Sequence, residues 1–428
     1  MSSRNYKYNN LTNGGKIDFI AFLLYLLLVL IGLINIYSVT SDVNQVGFAL
    51  SAIATKQLIW IGGAVLIILT VIFANVVIID YFSYYAYMIA IFLNIAVLFL
   101  GRNVNGAKSW FGFGGIGIQP SEFAKVATAL ALAKFLGTYG VKFKGWKNII
   151  ISVGIFLLPM LIILVQNDTG SALVFTSFFL VLYREGMPGY LLVSAIWLGI
   201  LAILAIIFGS YHISMGYLYG TILGLSSIII YFTRKNRSIA LVVALVSIIS
   251  VGFSASVGLV YNSDSVLKPY QKDRIEIVLG IKEDKRGMGY NLEQSKVAIG
   301  AGRLFGRGFQ NGTQTKMGFV PEQHTDFIFC TIGEEWGFFG VVIFFSIYVG
   351  LLIRLVFLAE RQTDTFGRVL GYSVACIMFF HWFVNIGMTI GIIPVIGIPL
   401  PFISFGGSSM WAFTLLLFLF LRVDQVRK

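Results

Sequence analysis

The sequence has little charge, little cysteine and no nucleotide-binding glycine motif, and each absence excludes a class of protein. Charged residues make up 12% of its 428 positions and hydrophobic residues 57%, a balance that excludes an ordinary water-soluble domain. The two cysteines, Cys330 and Cys376, fall inside apolar segments, which argues against disulfides and zinc. The glycine-rich stretch 300–312 matches neither G-x-G-x-x-G nor G-x-x-x-x-G-K-[ST], the two common phosphate-binding motifs, so no nucleotide is expected. Its glycines permit tight turns, or its amides line a phosphate pocket beside Arg303 and Arg307.

Long apolar runs are what the sequence has instead. Most match the ~20 residues that cross ~30 Å of hydrocarbon as a helix, and none alternates like a barrel strand. We therefore predict an all-α fold, a polytopic transmembrane helical bundle of about 12 helices. Only a few residues separate the seventh and eighth runs. The alternative to two crossings is that one of these two runs is a re-entrant segment. The runs lie at about 17–38, 57–79, 82–100, 121–138, 147–166, 169–185, 188–208, 212–233, 237–259, 326–358, 366–392 and 402–422.

Basic residues in the short loops predict the topology. They alternate along the chain, and the positive-inside rule assigns the loops that carry them to the cytoplasm together with both termini. Residues 1–16 form a polar cytoplasmic tail, and the run that follows is too long for a cleaved signal core, so the first helix is expected to stay. The cytoplasmic cations are Arg4, Lys7, Lys16, Lys142, Lys144, Lys147, Arg234, Lys235, Arg237, Arg361, Arg368, Arg422, Arg427 and Lys428.

One large extracytoplasmic loop, 260–325, is also basic. Its cations either solvate a long translocated loop or attract an anionic substrate to the outer membrane face. Nucleic acid is not expected as a partner, because ordinary topology explains the cytoplasmic part of the net charge of +12. The loop cations are Lys268, Lys272, Arg274, Lys282, Lys285, Arg286, Lys296, Arg303, Arg307 and Lys316.

Glu122, Lys125 and Asp168 are charged residues at the starts of apolar runs. Glu122 and Lys125 are three residues apart and share one helix face, either as an ion pair within the bundle or as substrate contacts. Ser121 is predicted to cap that helix after Pro120, and Asp168 either caps the next apolar run or faces the substrate.

Two further polar stretches lie beside apolar runs. Gln323, His324, Thr325 and Asp326 end the outer loop, where His324 is either a hydrogen-bonding fixture or a general base. Glu334 and Glu335 follow in the next helix. The proline-rich residues 394–401 cannot form a regular helix and read as a kinked outer loop, and Ser404 follows them where exposed amides could meet an anionic group.

Six segments together resemble the SEDS family of shape, elongation, division and sporulation proteins. They are NGAKSW with QPSEFAK, QNDTGSALVF, GYNLEQSKVAIGAGRLFGRGFQNGTQTK, FVPEQHTDFIFCTIGEEWGFFG and GIIPVIGIPLPFISFGGSS. The match extends over about 57–420, and PEQHTDFIF is more similar to the elongation members than to the division members. The resemblance implies a single membrane domain over residues 1–428.

The resemblance also implies an activity. Family members are glycosyltransferases that polymerise lipid II on the outer face of the bacterial cytoplasmic membrane, with a class B penicillin-binding protein and other elongation-complex proteins as partners. Gly287-Met288-Gly289-Tyr290 and Gln294-Ser295 set the register that makes Asp284 the catalytic residue, with Glu283 as its rival. Asp284 would act as the general base of an inverting transfer.

The remaining site residues are expected to bind lipid II, the growing strand or its pyrophosphate. Lys108, Lys125, Lys296 and Arg303, or a divalent cation such as Mg²⁺ or Mn²⁺, are candidates to stabilise the leaving pyrophosphate. The expected substrate-binding residues are Lys56, Gln57, Lys108, Trp110, Glu122, Lys125, Asp168, Lys296, Arg303, Gln323, His324, Thr325, Asp326 and Ser404.

The chain departs from the family pattern in three places. Lys285 follows Asp284 where prolines are usual, QNDTGSA replaces Q-P-D-L-G-T-A, and the usual ten crossings gain a helix pair between about 188 and 259. Two other functions stay open from sequence alone. A flippase for the same lipid would place its polar residues along a path through the membrane. A scaffold that only recruits a synthase would not need Asp284.

Overall fold

The computed structural model describes residues 15–41, 50–104, 106–113, 116–138, 146–211, 213–233, 237–262, 272, 276 and 288–426. These residues form two compact units. Unit 1 comprises 1–187, 291–390 and 396–428, and unit 2 comprises 188–290 and 391–395. Asp284 and Glu283 lie outside the described residues, as do the predicted loop cations Lys268, Arg274, Lys282, Lys285 and Arg286.

The helices follow the predicted apolar runs. Those preceding unit 2 are α1 (Phe19–Thr40), α2 (Ala52–Phe73), α3 (Val76–Leu100), α4 (Pro120–Leu136), α5 (Trp146–Val165), α6 (Thr169–Val174) and α7 (Phe178–Arg184), and a 3₁₀ turn at Phe175–Ser177 joins the last two. Unit 2 contributes α8 (Gly189–Ser210), α9 (Met215–Thr233) and α10 (Arg237–Asn262). The outer loop contains α11 (Met288–Ala301), and α12 (Ile328–Glu360), α13 (Thr365–Thr389) and α14 (Gly407–Val426) complete the chain.

Ten described helices are long and apolar enough to cross a membrane. The two remaining predicted runs correspond to shorter helices: α4 has 17 residues, and the 3₁₀ turn interrupts the Thr169–Arg184 stretch. The seventh and eighth runs form the separate helices α8 and α9, of 22 and 19 residues, each long and apolar enough to cross a membrane. The predicted polytopic helical bundle is therefore confirmed.

A small antiparallel sheet between α3 and α4 was not predicted. Its strands are β1 (Arg102–Val104), β2 (Ala107–Phe113) and β3 (Ile116–Ile118), in the order β1-β2-β3. Strands this short carry no reliable periodicity in the sequence, and their pairing becomes visible only when the chain folds back.

Polar side chains begin three of the first helices, and proline begins the fourth. Asp18, Ser51 and Asn75 cap α1, α2 and α3 by accepting backbone N–H bonds of 2.9–3.0 Å. The predicted cap at Ser121 is wrong, because Pro120 already occupies the first turn of α4 and Gln119 is the residue before the helix. The Ser121 hydroxyl is buried without a hydrogen-bond partner in the described structure.

Helices α13 and α14 form the interior of unit 1. In the most apolar 18-residue segment of each of these helices, 72% of the residues are buried, against 22% in α2 and in α3. The outer helices therefore present most of their surface outward, as lipid-facing helices do.

One end of unit 1 carries its described Arg–carboxylate pairs. Arg354 contacts Asp18, Arg361 contacts Asp424, Arg368 contacts Glu185 at 2.8 Å, and Arg184 contacts Glu360 at 2.6 Å. The Gln425 side chain also donates to Gly15 O at 2.9 Å, so the two described chain ends meet there. The prediction that both termini face the cytoplasm stays a prediction.

The pair between Asp18 and Arg354 should make stability depend on acid. Burial opposes ionisation of Asp18, but hydrogen bonds from the Arg354 guanidinium and the Ala21 N–H outweigh it and lower the Asp18 pKa. A carboxyl with a lowered folded pKa stabilises above its unfolded value, near 3.9, and loses that contribution as pH falls through the folded value. We expect Asp18→Asn to lower the thermal midpoint at pH 7 and to lower it less and less as the pH falls below about 3.9. A loss that stays the same as the pH falls would contradict this.

Unit 2 has its own internal contacts. The Ser210 hydroxyl donates to Tyr261 OH at 2.7 Å, and Tyr261 donates to Glu276 at 2.8 Å, joining the ends of α8 and α10 to the start of the outer loop. The Trp197 indole donates to Ser250 at 2.9 Å between α8 and α10. Polar contacts of this kind hold apolar helices in register inside a membrane.

Candidate functional site

A buried ionic cluster lies where α4 meets α13. The Lys125 ammonium donates to Glu122 Oε1 at 2.7 Å and lies 2.8 Å from His381 Nε2. All three side chains are at most 2% exposed. The Lys125 ammonium also lies 5.1 Å from the centre of the Phe413 ring on α14, within cation–π range. The predicted pairing of Glu122 and Lys125 is thus observed, and α13 supplies a third member.

The cluster has a defined proton arrangement and one open acceptor. Because Nε2 of His381 faces an ammonium, it must accept, and Nδ1 therefore donates to Pro399 O at 3.0 Å. The second oxygen of Glu122, Oε2, is buried without a hydrogen-bond partner among the described residues. A buried carboxylate oxygen without a partner can accept a hydrogen bond from a hydroxyl group or a water molecule.

Helix α13 also holds the predicted polar stretches in place. Asn385, one turn after His381, donates from Nδ2 to Asp326 O at 2.8 Å and to Ile398 O at 2.7 Å. These two bonds fasten the end of the outer loop and the proline-rich loop to the same helix. Asn385 Oδ1 is buried and unpaired within the described chain.

The residues predicted between 323 and 404 are structurally connected. Ser404 donates to Thr325 O at 2.7 Å and accepts from Leu400 N at 2.8 Å, while Phe405 N donates to His324 O at 2.8 Å. These bonds use Ser404 to hold the two loops together, which is a positioning role. The Oε1 of Gln323 is buried without a partner in the described structure.

The His324 ring is half-buried against Phe405, with 5.6 Å between ring centres. Burial lowers the pKa of His324, and the nearby Glu322 carboxylate opposes that shift. The imidazole is therefore neutral near pH 7.

Asp168 both caps a helix and joins the cluster region. Its Oδ1 accepts from Ser171 N at 3.0 Å, so it is the cap of α6, and its Oδ2 accepts from Gln119 Nε2 at 2.8 Å. Gln119 N in turn donates to Ser408 Oγ at 3.1 Å. The starts of α4, α6 and α14 consequently meet at one end of unit 1.

Other predicted residues lie around this meeting point with different exposures. Lys108 is on β2, where its N–H donates to Gln166 O at 3.0 Å and its ammonium lies 3.2 Å from Phe99 O. Trp110 is half-buried on the same strand. On α2, Lys56 is exposed, whereas Gln57 is fully buried with neither amide atom paired in the described structure.

Lys296 and Arg303 are exposed on the outer-loop side of the unit. Ser295, beside Lys296, donates to Thr389 O at 3.0 Å and ties α11 to the end of α13. Lys296 therefore belongs to the same end of unit 1 as the cluster. Within the described residues, no three His, Cys, Asp or Glu side chains are grouped as metal ligands. The divalent cation stays a prediction.

The Glu334 carboxylate binds residues 313–315 of the loop that contains Arg303, and we call this contact the Glu334 seat. Glu334, fully buried on α12, accepts from the backbone N–H groups of residues 313, 314 and 315 at 2.7–2.9 Å and from the hydroxyls of Thr313 and Thr315 at 3.2 and 2.7 Å. Both carboxylate oxygens accept a backbone N–H. The loop cannot leave this seat without stranding a buried charge.

A kink in α12 completes the seat. Gly337 has φ of 64°, and the interrupted helix instead bonds the loop: Arg307 N and Gly308 N donate to Glu334 O and Glu335 O, and Phe338 N and Phe339 N donate to Arg303 O and Leu304 O, all at 2.9–3.1 Å. A Cβ on Gly306 would lie 2.1 Å from Glu335 O, and one on Gly337 would lie 2.2 Å from Gly306 N. Only glycine permits this approach.

Glu334→Gln is expected to release this loop. An amide has one oxygen, so at least one of the three backbone N–H groups loses its acceptor, at about 1–3 kcal/mol for each buried donor left unpaired. Hydrogen exchange at residues 313–315 should accelerate by about 5- to 150-fold, the factor that about 1–3 kcal/mol produces. The matched control is Glu322→Gln, an exposed carboxylate whose side chain accepts from the Thr325 hydroxyl at 2.9 Å, and it should leave exchange unchanged. Equal exchange in both variants would contradict the seat.

Sequence reasoning missed three residues that organise the site: Gln119, His381 and Asn385. The signal was present for two of them, because polar residues four apart in the apolar HWFVN stretch share one face of a membrane helix. Gln119 gave no such signal, because its partners Asp168 and Ser408 are distant in sequence.

Known proteins resemble the chain throughout its length. A family model described as the FtsW, RodA and SpoVE cell cycle protein matches residues 18–219 and 219–428, and the two matches meet inside α9. The chain is 34% identical to peptidoglycan glycosyltransferase RodA of Treponema pallidum, over 87% of this chain and 89% of the relative. It is 33% identical to peptidoglycan glycosyltransferase MrdB of Escherichia coli, over 76% and 73%.

Solved structures share the fold. A chain from a peptidoglycan synthase complex, studied for how it coordinates polymerisation and crosslinking, superposes with a TM-score of 0.67 and 26% identity, covering 96% of this chain and 98% of that one. The rod shape determining protein RodA of Thermus thermophilus gives a TM-score of 0.61 at 24% identity, over 96% and 97% of the two chains. The chain belongs to the FtsW, RodA and SpoVE family of cell cycle proteins.

Proposed function

We propose that this protein is a peptidoglycan glycosyltransferase that polymerises glycan strands from lipid II during cell elongation. The similarity to RodA and MrdB glycosyltransferases supports this activity. One structural observation supports a location for this activity. It is the buried cluster of Lys125, Glu122 and His381, whose unpaired Glu122 oxygen lies at the end of unit 1 where the outer loop attaches. The charged site residues Glu122, Lys125 and Asp168 lie towards the end of unit 1 where the outer loop attaches, an arrangement that fits surface chemistry on a membrane-anchored sugar better than transport through the membrane.

The proposed reaction inverts one sugar carbon. The C4 hydroxyl of an acceptor N-acetylglucosamine attacks the anomeric carbon of a lipid-linked N-acetylmuramic acid, and the bond from that carbon to undecaprenyl pyrophosphate breaks. Asp284 takes the hydroxyl proton as the new glycosidic bond forms, and the pyrophosphate leaves with the bonding electrons. A carboxylate with a reference pKa near 3.9 assists only while the oxocarbenium-like centre develops, so its contribution depends on position.

Charge on the leaving pyrophosphate needs cations. Lys296 and Arg303 are exposed at the outer-loop side and are suited to direct contact. Lys125 is enclosed by Glu122, His381 and Phe413, so in this proposal it acts at close range by holding Glu122 and the proline-rich loop in place. A Mg²⁺ or Mn²⁺ ion would supply further charge stabilisation when bound.

The cellular setting follows from the same proposal. The protein is a multi-pass protein of the bacterial cytoplasmic membrane, with both termini in the cytoplasm and the outer loop facing the wall. A class B penicillin-binding protein and other elongation-complex proteins are its partners, an assignment supported by the similarity to a chain of a peptidoglycan synthase complex. Lipid II and the growing strand are the substrates.

Reconstitution in liposomes with lipid II tests the activity against its rivals. The expected result is long glycan polymer from purified protein alone, resolved by gel electrophoresis. Transfer of lipid II between leaflets without polymer would establish a flippase instead. If the protein alone makes no polymer and moves no lipid, yet polymer appears when a partner synthase is added and Asp284→Asn does not reduce it, the scaffold function replaces the proposal.

A further inference from the structure

The outer loop of unit 1 has an exposed apolar surface flanked by arginines. We define the apolar tip as residues 303–309 together with 317–319. Leu304, Phe305 and Met317 are 57%, 79% and 68% exposed, and Arg303 and Arg307 beside them are also exposed. Apolar side chains at this exposure outside a spanning helix mark a contact surface.

The apolar tip is held rigidly. The Glu334 seat fixes residues 313–315, and four backbone bonds join residues 303–308 to the kink in α12. Within the tip, Phe309 lies 6.2 Å from Trp336 and 6.4 Å from Tyr37, measured between ring centres. Because the backbone is fixed, Leu304 and Phe305 cannot fold back to cover themselves.

The apolar tip continues the outward face of a spanning helix. Phe305 stacks on Phe339 with 5.2 Å between ring centres. Phe339 and Ile343 are four residues apart on α12, both are about half or more exposed, and α12 is long and apolar enough to span the membrane. The Phe305 ring therefore extends a lipid-facing strip towards the membrane boundary, where aromatic side chains are favoured.

The segment that contains the tip has only basic charged residues. Between Glu293 and Glu322 the sequence contains no acidic residue, while it contains Lys296, Arg303, Arg307 and Lys316. An apolar surface next to guanidinium groups matches a phospholipid, whose acyl region meets the rings and whose phosphate meets the arginines. The positive charge selects an anionic headgroup over a zwitterionic one.

We propose that the apolar tip binds an anionic phospholipid of the surrounding outer leaflet, with Leu304 and Phe305 in the interfacial region and Arg303 and Arg307 on the headgroup phosphate. Arg303 is also a proposed contact of the leaving pyrophosphate, so the two proposals share this one side chain, but lipid binding by the tip stands whether or not the protein polymerises lipid II. Its consequence is that the outer loop is fixed relative to the membrane surface.

Lipid quenching of a probe at the tip tests the site. The full-length Phe305→Cys protein is labelled with bimane, whose apolar ring stands where the phenyl ring stood, and identically treated unsubstituted protein supplies the background from Cys330 and Cys376. Vesicles contain equal fractions of brominated phosphatidylglycerol or brominated phosphatidylcholine. We expect roughly fivefold stronger quenching by the anionic lipid, the enrichment that about 1 kcal/mol of attraction produces.

Two variants separate the apolar and charged parts of the site. Adding Arg303→Gln and Arg307→Gln should keep the quenching and remove the preference. Val165→Cys, at the end of α5 and 68% exposed, is the matched control and should be quenched equally by both lipids. No quenching at position 305, equal quenching by both lipids, or loss of the preference when lipid II is added would each overturn the proposal, the last by assigning the surface to the substrate.

Discussion

Asp284→Asn should abolish glycan-strand synthesis from lipid II and leave the protein folded. Asparagine has nearly the same shape as aspartate but cannot accept the proton of the attacking hydroxyl. General-base assistance of this kind contributes roughly 10²–10⁴-fold to a rate, so polymer should fall by at least 100-fold. The measurement is polymer formed per unit time by purified variant in lipid II liposomes, with the thermal midpoint of the same sample confirming folding.

The neighbouring carboxylate supplies the matched control. Glu283→Gln removes a charge of the same sign one position away, so it reproduces any general electrostatic effect of the loop without removing the proposed base. We expect it to retain activity within a few-fold of the unsubstituted protein. Full activity in Asp284→Asn, or an equal loss in Glu283→Gln, would refute the assignment of Asp284 and leave the glycosyltransferase activity itself to the liposome assay.

Lys125→Met should have the largest effect on stability. The substitution keeps an unbranched side chain of similar length but leaves the Glu122 carboxylate, 2% exposed, without its cation and His381 Nε2 without its donor. Removing one partner of a buried ion pair costs about 3–5 kcal/mol, because a buried charge remains uncompensated. The measurement is the free energy of unfolding in detergent micelles, and polymer synthesis should fall with it.

The double variant Glu122→Gln/Lys125→Met separates folding from the role of the cation. Removing both charges leaves no uncompensated ion, so most of the lost stability should return. The polymerisation rate of the refolded double variant then measures what the cluster contributes beyond stability. Unchanged unfolding free energy in the single Lys125→Met variant would contradict the buried pair.

Particular residues show how far the sequence reached into the site. The three-residue spacing of Glu122 and Lys125 predicted one shared helix face, and that face carries their 2.7 Å contact. Asp168 was predicted as a possible cap, and it is one, but its second oxygen is occupied by Gln119 from another segment. Ser404 was expected to bind substrate, which stays a prediction, and its hydroxyl donates to Thr325 O and accepts from Leu400 N. Local spacing predicts a contact within one helix, such as that of Glu122 and Lys125. It does not predict contacts between segments that are distant in sequence, such as those of Asp168 with Gln119 and of Ser404 with Thr325.

The sequence by itself determined the membrane bundle, because apolar runs of membrane length need no knowledge of their neighbours and lipid leaves the backbone no alternative to helices. It also determined the family, through motifs read in order along the chain. Only the tertiary structure decided that His381 and Asn385 hold the proline-rich loop, and that Glu334 seats residues 313–315 beside a kink at Gly337. Such contacts depend on which helix faces meet. Packing between segments that are distant in sequence decides this, and the periodicity within a single segment does not reveal it.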